Sequence, residues 1–352
     1  NRTDEVQFFR QNPEVRHLTD AIQSLEDEFR QQSAMRINRL ATLFHLSEFE
    51  ADMVQTCFAE AVDSQFSKIF AYLNDHAGHP YVTIQLVQRL FGYSPVTAQS
   101  DLAQSLTWGI LYKIKTNPGE PELYELNEDI VRWLLGSENF SPAVNHMVIS
   151  VHKHTPPESW PINPAVDTLR KCAQDDNHRL IIAGAPGSGR KTLARCAADR
   201  TGQDILFIDI SRLNDLDAET ILKIRRAALL QDKLVAWCGS DASARNLINR
   251  SGPPVGDIFI EEQHHPSKSV RGITETIIRM PDLSISERKQ LLQQMLPVVR
   301  TWDQDDFQSF AAQHTVTVGD IRQIADADVQ SIDQMYAHLN GGSYNDLDSL
   351  AE

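Results

Sequence analysis

The chain has 352 residues, of which 41% are hydrophobic, and its 48 acidic side chains outnumber the 33 basic ones to give a formal net charge of −15. This length predicts two or three domains, each with its own core, and the composition is ordinary for a soluble globular protein. The charge disfavours nucleic acids and anionic membranes as partners, and no apolar run approaches the roughly 20 residues that cross a bilayer.

Two further features bear on the cellular compartment. The first 14 residues are polar and of mixed charge, so we expect no signal peptide, and the chain starts with Asn, as a part of a longer protein would. The cysteines lack the spacing of a metal site or a redox pair, and their sparseness favours a reducing, cytoplasmic compartment. Each is interpreted as a small buried side chain: Cys57, Cys172, Cys196 and Cys238.

The amino-terminal part of the chain is predicted to be helical. An apolar stripe indicates a helical segment from about residue 15 to residue 45. The stripe consists of Leu18, Ile22, Leu25, Phe29, Ile37, Leu40, Leu43 and Phe44. Ser47 and Glu50 then have the spacing of a capping box, which predicts the start of a second helix. The face of this helix and of its continuation is expected to consist of Phe49, Met53, Cys57, Phe58, Phe66, Ile69, Phe70, Tyr72 and Leu73.

Helices over 83–91 and 97–106 lead into two β-type runs at 110–115 and 122–126, which a Pro/Gly turn separates. Helices followed by a β-hairpin indicate a winged-helix domain. The helix before the hairpin contains no Lys or Arg, although it would supply the major-groove contacts of a DNA reader. Residues 1–150 carry 11 basic against 20 acidic side chains. A protein contact or a structural role is therefore favoured over DNA binding.

The second half of the chain alternates between short apolar runs and helical stretches, which predicts a parallel sheet with helices on both faces. The predicted strands are 180–183, 205–210, 234–237, 258–260 and 275–280. Helices are expected over about 165–172, before the first strand, and over about 218–230, before the third. A second capping box, Ser284 with Glu287, then begins a helical region. The apolar stripe of its first helix is expected to consist of Leu291, Leu292, Met295 and Leu296.

The most informative motif follows the first predicted strand of this sheet. A glycine-rich stretch opens into a helix, the context in which backbone N–H groups and a helix start bind phosphate. Gly184 and Gly189 have the spacing of the motif G-x-x-x-x-G-K-[ST], but Arg190 stands at the lysine position and Lys191 at the hydroxyl position. The candidate nucleotide-binding residues are Gly184, Ala185, Pro186, Gly187, Ser188, Gly189, Arg190, Lys191, Thr192 and Leu193.

These substitutions change the chemistry expected of the loop. Arg190 keeps the positive charge of the motif lysine, whereas a protonated Lys191 cannot ligate Mg²⁺. The hydroxyl of Thr192 could ligate it, but Thr192 is one residue beyond the motif position, so its side chain points about 100° away around the helix. We therefore expect the loop to bind the phosphates of ATP or ADP and to be poor at binding Mg²⁺ and at hydrolysis. A glycine-rich turn without a ligand is the alternative.

The predicted architecture is a multidomain chain with an α+β winged-helix domain, then an α/β P-loop domain with a helical lid. Its segments are 1–45 (helical segment), 46–136 (winged helix), 137–162 (Pro-containing linker), 163–282 (α/β nucleotide-binding domain), 283–336 (helical lid) and 337–352 (acidic tail).

This order of elements resembles an AAA+ ATPase module fronted by a winged helix. The stretches 46–50 and 66–75, with the glycine loop and the G-x-I-R motif that ends at Arg322, are similar to the first half of bacterial tandem AAA ATPases. The resemblance covers about residues 42–329. It implies that a second ATPase module follows residue 352, that the first module is often degenerate, and that many members form rings.

When the catalytic positions that the resemblance implies are matched to this sequence one by one, some of the expected residues are missing. The strand that should end in Asp-Glu ends in Cys238, the next carboxylate is Asp241, and Asp209 lies on the wrong strand. Arg322 matches the sensor-2 arginine of the lid, which reaches the phosphates. The resemblance also implies a polar residue after the next strand, called sensor 1, near Glu262 or Gln263. It further implies an arginine finger, which faces a neighbouring subunit, at Arg271.

The sequence therefore favours an ATP-binding but poorly hydrolysing module of a bacterial AAA+ ATPase, with no metal ligand or catalytic residue assigned. Such a hydrolase-family module would assemble into a homo-oligomeric ring or act on a protein partner docked on its winged helix, with no membrane involved. Two alternatives stay open: a non-enzymatic adaptor with an empty pocket, and a DNA-dependent ATPase that reads DNA through the winged helix.

Overall fold

A computed structural model describes residues 13–339, with gaps at 33–34, 75–79, 95–101, 115, 118, 139–141, 152–154, 176, 213–215, 240–241, 254, 263–271, 314, 328, 330, 332 and 338. The chain forms two compact units, Asn1–Ser141 and Pro142–Glu352, and each is described by itself. Among the described helices, none combines the length and the apolar character needed to cross a membrane.

The first unit is mainly helical and contains one small antiparallel sheet. Its helices are α1 (Pro13–Gln31), α2 (Arg36–Leu43), α3 (Glu48–Val62), α4 (Gln65–Leu73), α5 (Ile84–Phe91), α6 (Ala103–Thr107) and α7 (Glu128–Leu134). Its strands are β1 (Val82–Thr83), β2 (Leu111–Ile114) and β3 (Leu123–Leu126), in the spatial order β1–β3–β2.

The β-hairpin expected from the sequence is confirmed, because β2 and β3 pair antiparallel along their full lengths. β1, which adds two residues to the other side of β3, was not predicted. A strand of two residues has no alternation to detect. The helix predicted over 97–106 is described only as α6, since residues 95–101 lie outside the described part of the chain.

The prediction of one helical segment over 15–45 needs correction. α1 ends at Gln31 and α2 begins at Arg36. The side-chain amide of Asn38 donates to the carbonyl of Phe29 at 2.7 Å and to that of Gln32 at 3.0 Å. Each of these carbonyls also accepts from a backbone N–H, so Asn38 adds a second donor to both and stabilises the break.

The apolar faces of α1 and α4 are less buried than the sequence indicates. On α3, Phe49, Met53 and Cys57 are buried as predicted, and Phe70 continues the core in α4. The exposed members of the predicted stripes are Leu18, Ile22 and Leu25 on α1 and Phe66, Ile69 and Tyr72 on α4. Periodicity identifies an apolar face, but it does not show whether the same chain covers that face.

A buried glutamate joins two helices of the first unit. One carboxylate oxygen of Glu50 accepts a hydrogen bond from the N–H of Ser47 at 2.9 Å, and the other accepts from the N–H of Ser105 at 2.7 Å. The hydroxyl of Ser47 accepts from the N–H of Glu50 at 3.1 Å, which confirms the predicted capping box. Glu50 therefore ties the start of α3 to α6.

We expect Glu50→Ala to lower the free energy of unfolding by about 2–3 kcal/mol, because it removes a cap and leaves the buried N–H of Ser105 without its acceptor. Glu48→Ala is the control, since Glu48 is exposed in the same helical turn and its loss should cost less than about 1 kcal/mol. Urea unfolding of both variants tests this expectation. An equal decrease in the free energy of unfolding for Glu50→Ala and Glu48→Ala would contradict it.

The second unit is a parallel α/β sheet followed by helices. Its strands are β4 (His178–Ala183), β5 (Asp204–Asp209), β6 (Lys233–Cys238), β7 (Ile258–Glu261) and β8 (Thr274–Arg279). Its helices are α8 (Pro142–Asn145), α9 (Ile162–Gln174), α10 (Arg190–Thr201), α11 (Ala218–Leu230), α12 (Ala242–Arg250), α13 (Ile285–Met295), α14 (Gln304–Gln313) and α15 (Val318–Asp326).

The sheet has the order β5–β6–β7–β4–β8, and all neighbouring strands are parallel, as predicted. This order differs from both common doubly wound orders. The connection from β4 to β5 crosses the sheet in one direction, and the connection from β7 to β8 crosses it in the other. The carboxyl ends of β4 and β7 therefore form a switch point, where ligands bind in open α/β sheets.

Much of the predicted linker, 137–162, belongs to the second unit. Val148 forms an antiparallel bridge with Ile208, so the segment adds to the edge of the sheet at β5. The linker prediction is wrong for this stretch, because its prolines interrupt a segment that nevertheless packs on the sheet. Among its described residues, the buried ones are Val144, Met147, Trp160 and Ile162.

An ionic cluster lies under the amino-terminal ends of the strands. The fully buried carboxylate of Asp257 contacts the guanidinium groups of Arg225 and Arg179, which are buried as well. The indole N–H of Trp237 donates to the same carboxylate at 2.8 Å. Arg225 also donates to the carbonyl of Ile248 at 3.0 Å. One carboxylate thus lies between two buried cations. Backbone carbonyls accept from further donors of Arg225, and the side-chain oxygen of Asn249 accepts from Arg179.

Candidate functional site

The glycine-rich loop lies at the carboxyl edge of the sheet. It follows Ala183, the last residue of β4, and the N–H of Gly184 donates to the carbonyl of Glu261 in β7 at 3.3 Å. Strand register brings Asp209 of β5 opposite Cys238 of β6 at the same edge. The loop therefore occupies the switch point, together with the ends of three other strands.

Two glycines determine the shape of the loop. Gly187 and Gly189 have φ angles of +77° and +91°, in the left-handed region that glycine adopts without steric cost. The N–H of Ser188 donates to the carbonyl of Ala185 at 3.1 Å, which closes the turn. α10 begins directly afterwards at Arg190, so the N–H groups of its first turn have no partner within the helix and can bind an anion.

Neighbouring side chains pack so closely on the loop that larger residues would not fit. A Cβ atom on Gly189 would lie 2.2 Å from the ring of Trp160. A Cβ atom on Gly187 would lie 2.3 Å from the hydroxyl oxygen of Thr317. The motif glycines are therefore required by contacts with distant parts of the chain as well as by the backbone conformation.

The start of α15 lies directly on the loop. The N–H of Gly319 donates to the carbonyl of Gly187 at 2.8 Å. A Cβ atom on Gly319 would lie only 2.7 Å from the Cα atom of Gly187, so this approach also depends on glycine. Thr317 and Asp320 form a capping box that begins the helix. α15 also carries Arg322, which it thereby brings to the loop.

A cavity of about 330 Å³ lies between the loop and helices α13 and α15. Its polar side chains are Arg190, Lys191, Thr192 and Arg322, and no carboxylate is among the described residues that line it. This volume is at the lower end of the range for small-molecule sites, and three cations in the lining favour an anionic ligand. The remaining lining residues are Pro186, Gly187, Gly189, Met295, Val318 and Gly319.

The electrostatics of the loop extend to the ends of the neighbouring strands. Burial lowers the pKa of Arg190 and the carboxylate of Glu262 opposes this shift, but an arginine stays charged in either case. Burial raises the pKa of the Cys238 thiol to about 12, against the opposing effect of Lys191 and with a further increase from Asp209. Cys238 is therefore a neutral thiol within electrostatic reach of a lysine.

This donor set does not fit Mg²⁺, the ion that the resemblance to phosphate-binding loops implies. Mg²⁺ prefers oxygen ligands, usually one or two carboxylates together with substrate phosphates. Lys191 places a cation where a hydroxyl ligand is needed, and Cys238 ends its strand without a carboxylate. Glu261 is engaged in a buried ion pair with Arg245 at 3.0 Å. Within the described ranges, no group of three or more His, Cys, Asp or Glu side chains could hold a metal ion.

Most of the predicted loop residues line the cavity, but some do not. The side chain of Leu193 is buried in the core, and its N–H donates to the carbonyl of Gly189 at 2.8 Å. The hydroxyl oxygen of Ser188 is buried without a hydrogen-bond partner, and it does not line the cavity. Three residues from the sequence-based hypotheses lie outside the described residues: Asp241, Gln263 and Arg271.

Sequence reasoning missed the residues that pack on the loop from distant segments. Trp160 lies in the stretch interpreted as a linker, and Met295 had been assigned only to a helix stripe. Thr317 had a detectable signal, because Thr317 and Asp320 have capping-box spacing directly before the G-x-I-R motif. That spacing predicts a helix start at the glycine, although not its contact with the loop.

These observations define a parallel α/β unit with a glycine-rich loop and a cation-lined cavity at the carboxyl edge of its sheet, and a separate unit with helices and a hairpin. Residues 2–148 match a family model described as "Winged helix domain, variant", in agreement with the first unit. No curated protein matches the chain. Among solved structures, it is similar to the RuvB Holliday junction branch migration motor of Thermotoga maritima, with 12% identity and a TM-score of 0.39 over 51% of this chain and 67% of that one. A likeness this weak carries no conclusion about chemistry.

Proposed function

We propose that the chain contains an AAA+-type module that binds ATP or ADP through backbone amides and basic side chains and hydrolyses it poorly. The observation that carries this proposal is the cavity at the carboxyl edge of the sheet. A loop with two left-handed glycines, the start of α10 and the cations Arg190, Lys191 and Arg322 converge there. Phosphate oxygens are the ligand atoms that such N–H donors and cations recognise.

Poor hydrolysis follows from the same residues. Phosphoryl transfer depends on positioning and on neutralisation of the developing charge by Mg²⁺ and its ligands. Lys191 and Cys238 occupy the two positions whose side chains would bind Mg²⁺ in a complete site, and neither supplies an anionic oxygen. The carboxylate of Glu261 is paired with Arg245. The combined loss should reduce the rate by orders of magnitude relative to a complete site.

The surface of the first unit is better suited to bind a protein partner than a nucleic acid. In the part of the chain that the structure describes, α6 carries no basic residue, and Lys113 of the hairpin is paired with Glu122. The exposed apolar residues of α1 and α4 suit a protein contact. The module would then act within a cytoplasmic, homo-oligomeric ring, and a further ATPase module of the same protein would supply hydrolysis.

A non-enzymatic adaptor is the competing function. The observation that favours it is the direct hydrogen bond from Gly319 to Gly187, because α15 then lies on the loop where phosphates would enter. In an adaptor this contact would be permanent and the loop would never bind a ligand. In the nucleotide-binding module, the helix would move to admit the ligand.

Isothermal titration calorimetry of ADP and ATP into the full chain separates the two functions. We expect dissociation constants on the order of micromolar and one nucleotide per chain. Arg190→Ala should weaken binding at least tenfold, because a charged group that donates to phosphate is lost. Lys171→Ala, on the exposed surface of α9, is the control and should bind normally. Absence of binding at about millimolar nucleotide would favour the adaptor.

A further inference from the structure

We infer that this site binds its nucleotide without a divalent cation, and that the ammonium group of Lys191 takes the position that Mg²⁺ has in a complete phosphate-binding loop. The inference rests on the proposed function and specifies the ionic form of its ligand. That ligand is free ADP or ATP rather than the magnesium complex.

The charge of the cavity is the first argument. Its lining contains three cationic side chains, Arg190, Lys191 and Arg322, and no carboxylate among the described residues. A free nucleotide polyphosphate carries two more negative charges than its complex with Mg²⁺. Attraction to a site with this lining therefore favours the free form, and a divalent cation entering the same site would be repelled by fixed charges of its own sign.

The position of Lys191 is the second argument. It is the second residue of α10 and lines the cavity, so its ammonium group can reach phosphate oxygens bound at the helix start. Its charge also acts on the thiol of Cys238, at the end of β6, where a metal-binding carboxylate would be expected. Lys191 is thus at one of the two positions that would otherwise hold Mg²⁺ and within electrostatic range of the other.

The end of β6 cannot replace the missing metal ligand. Cys238 is buried, and burial keeps its thiol protonated near neutral pH. Among the described residues of the lining, the one hydroxyl side chain is that of Thr192, which follows Lys191 and points about 100° further around the helix. Thr192 is therefore the residue that could still support a metal ion, and the experiment must include it.

The test is calorimetric titration of ADP into the full chain, once in excess EDTA and once in excess Mg²⁺. For the unsubstituted chain, the dissociation constant in EDTA should equal or lie below that in Mg²⁺. Lys191→Ser should weaken binding at least tenfold in EDTA, because a charged hydrogen-bond donor to phosphate is lost. Lys171→Ser, an exposed lysine on α9, is the matched control and should bind as the unsubstituted chain does.

A double variant tests the exchange of lysine for metal directly. Lys191→Ser with Cys238→Asp restores a hydroxyl and a carboxylate, so Mg²⁺ should strengthen its binding of ADP at least tenfold. Circular dichroism would show whether each variant is folded. The comparison of EDTA with Mg²⁺ on the unsubstituted chain decides the question without any variant.

Each outcome has a distinct meaning. Binding that requires Mg²⁺ in the unsubstituted chain would overturn the inference and leave nucleotide binding intact. The inference would also fail if Thr192→Ala weakened binding only in Mg²⁺, because Thr192 would then be a metal ligand. Absence of binding in both conditions would instead remove the proposed function.

Discussion

Asp257→Ala is expected to lower the free energy of unfolding by about 3–5 kcal/mol, the loss typical of breaking a buried ion pair. The carboxylate is 0% exposed, and its removal leaves the guanidinium groups of Arg179 and Arg225 buried near each other without their shared anion. The indole N–H of Trp237 also loses its acceptor. Unfolding by denaturant, followed by circular dichroism, measures the change.

Asp204→Ala is the matched control for this prediction. Asp204 pairs with Arg195 at 3.2 Å and is about half exposed, and surface pairs of this kind contribute about 0–1 kcal/mol. Asp257→Asn retains the shape and an acceptor oxygen, so its loss should lie between those of the two alanine variants. If Asp257→Ala and Asp204→Ala cost the same, the cluster does not support the fold.

Gly189→Ala is the second substitution with a large expected effect, about 2–4 kcal/mol in the free energy of unfolding. A left-handed conformation costs a non-glycine residue about 1–2 kcal/mol, and overpacking adds about 1–3 kcal/mol. The added Cβ would meet the ring of Trp160 at 2.2 Å, and Trp160 is only 5% exposed and has little room to move. Displacement of the loop should also weaken nucleotide binding, because Arg190 follows directly.

Gly202→Ala separates the contact from the backbone effect. Gly202 has a φ angle of +72°, but a Cβ there would have no atom within 4 Å, so only the conformational cost applies. Combining Gly189→Ala with Trp160→Ala should recover part of the loss relative to the sum of the single variants. Equal destabilisation at Gly189 and Gly202, with no such recovery, would show that Trp160 does not restrain the loop.

Local signals predicted much of the secondary structure. The capping boxes that begin at Ser47 and Ser284 are both present, and α11 has its predicted bounds. Strands β4 to β7 were detectable because most of their residues are buried and read as nearly continuous apolar runs, whereas only Ile278 is buried in β8, at the edge of the sheet. Caps and apolar runs depend on neighbouring residues, so a single sequence contains what is needed to find them.

Features that depend on distant partners could not be predicted in this way. α12 was missed because its buried face includes Arg245, whose partner Glu261 lies in another element. The contacts of Trp160 and Gly319 with the loop join segments that are far apart in the chain. The glycine spacing revealed the loop, but only the fold shows that Arg322 lines the same cavity.

The most direct test of the central claim is to identify the nucleotide that the protein retains. The full chain would be incubated with excess ATP and Mg²⁺, the nucleotide bound at equilibrium would be counted by ultrafiltration, and the protein fraction would be denatured and its nucleotide identified by ion-exchange chromatography. We predict about one ATP per chain, recovered unhydrolysed. Protein without nucleotide would contradict the claim, and so would ADP and phosphate accumulating at an ordinary turnover of about 10 s⁻¹.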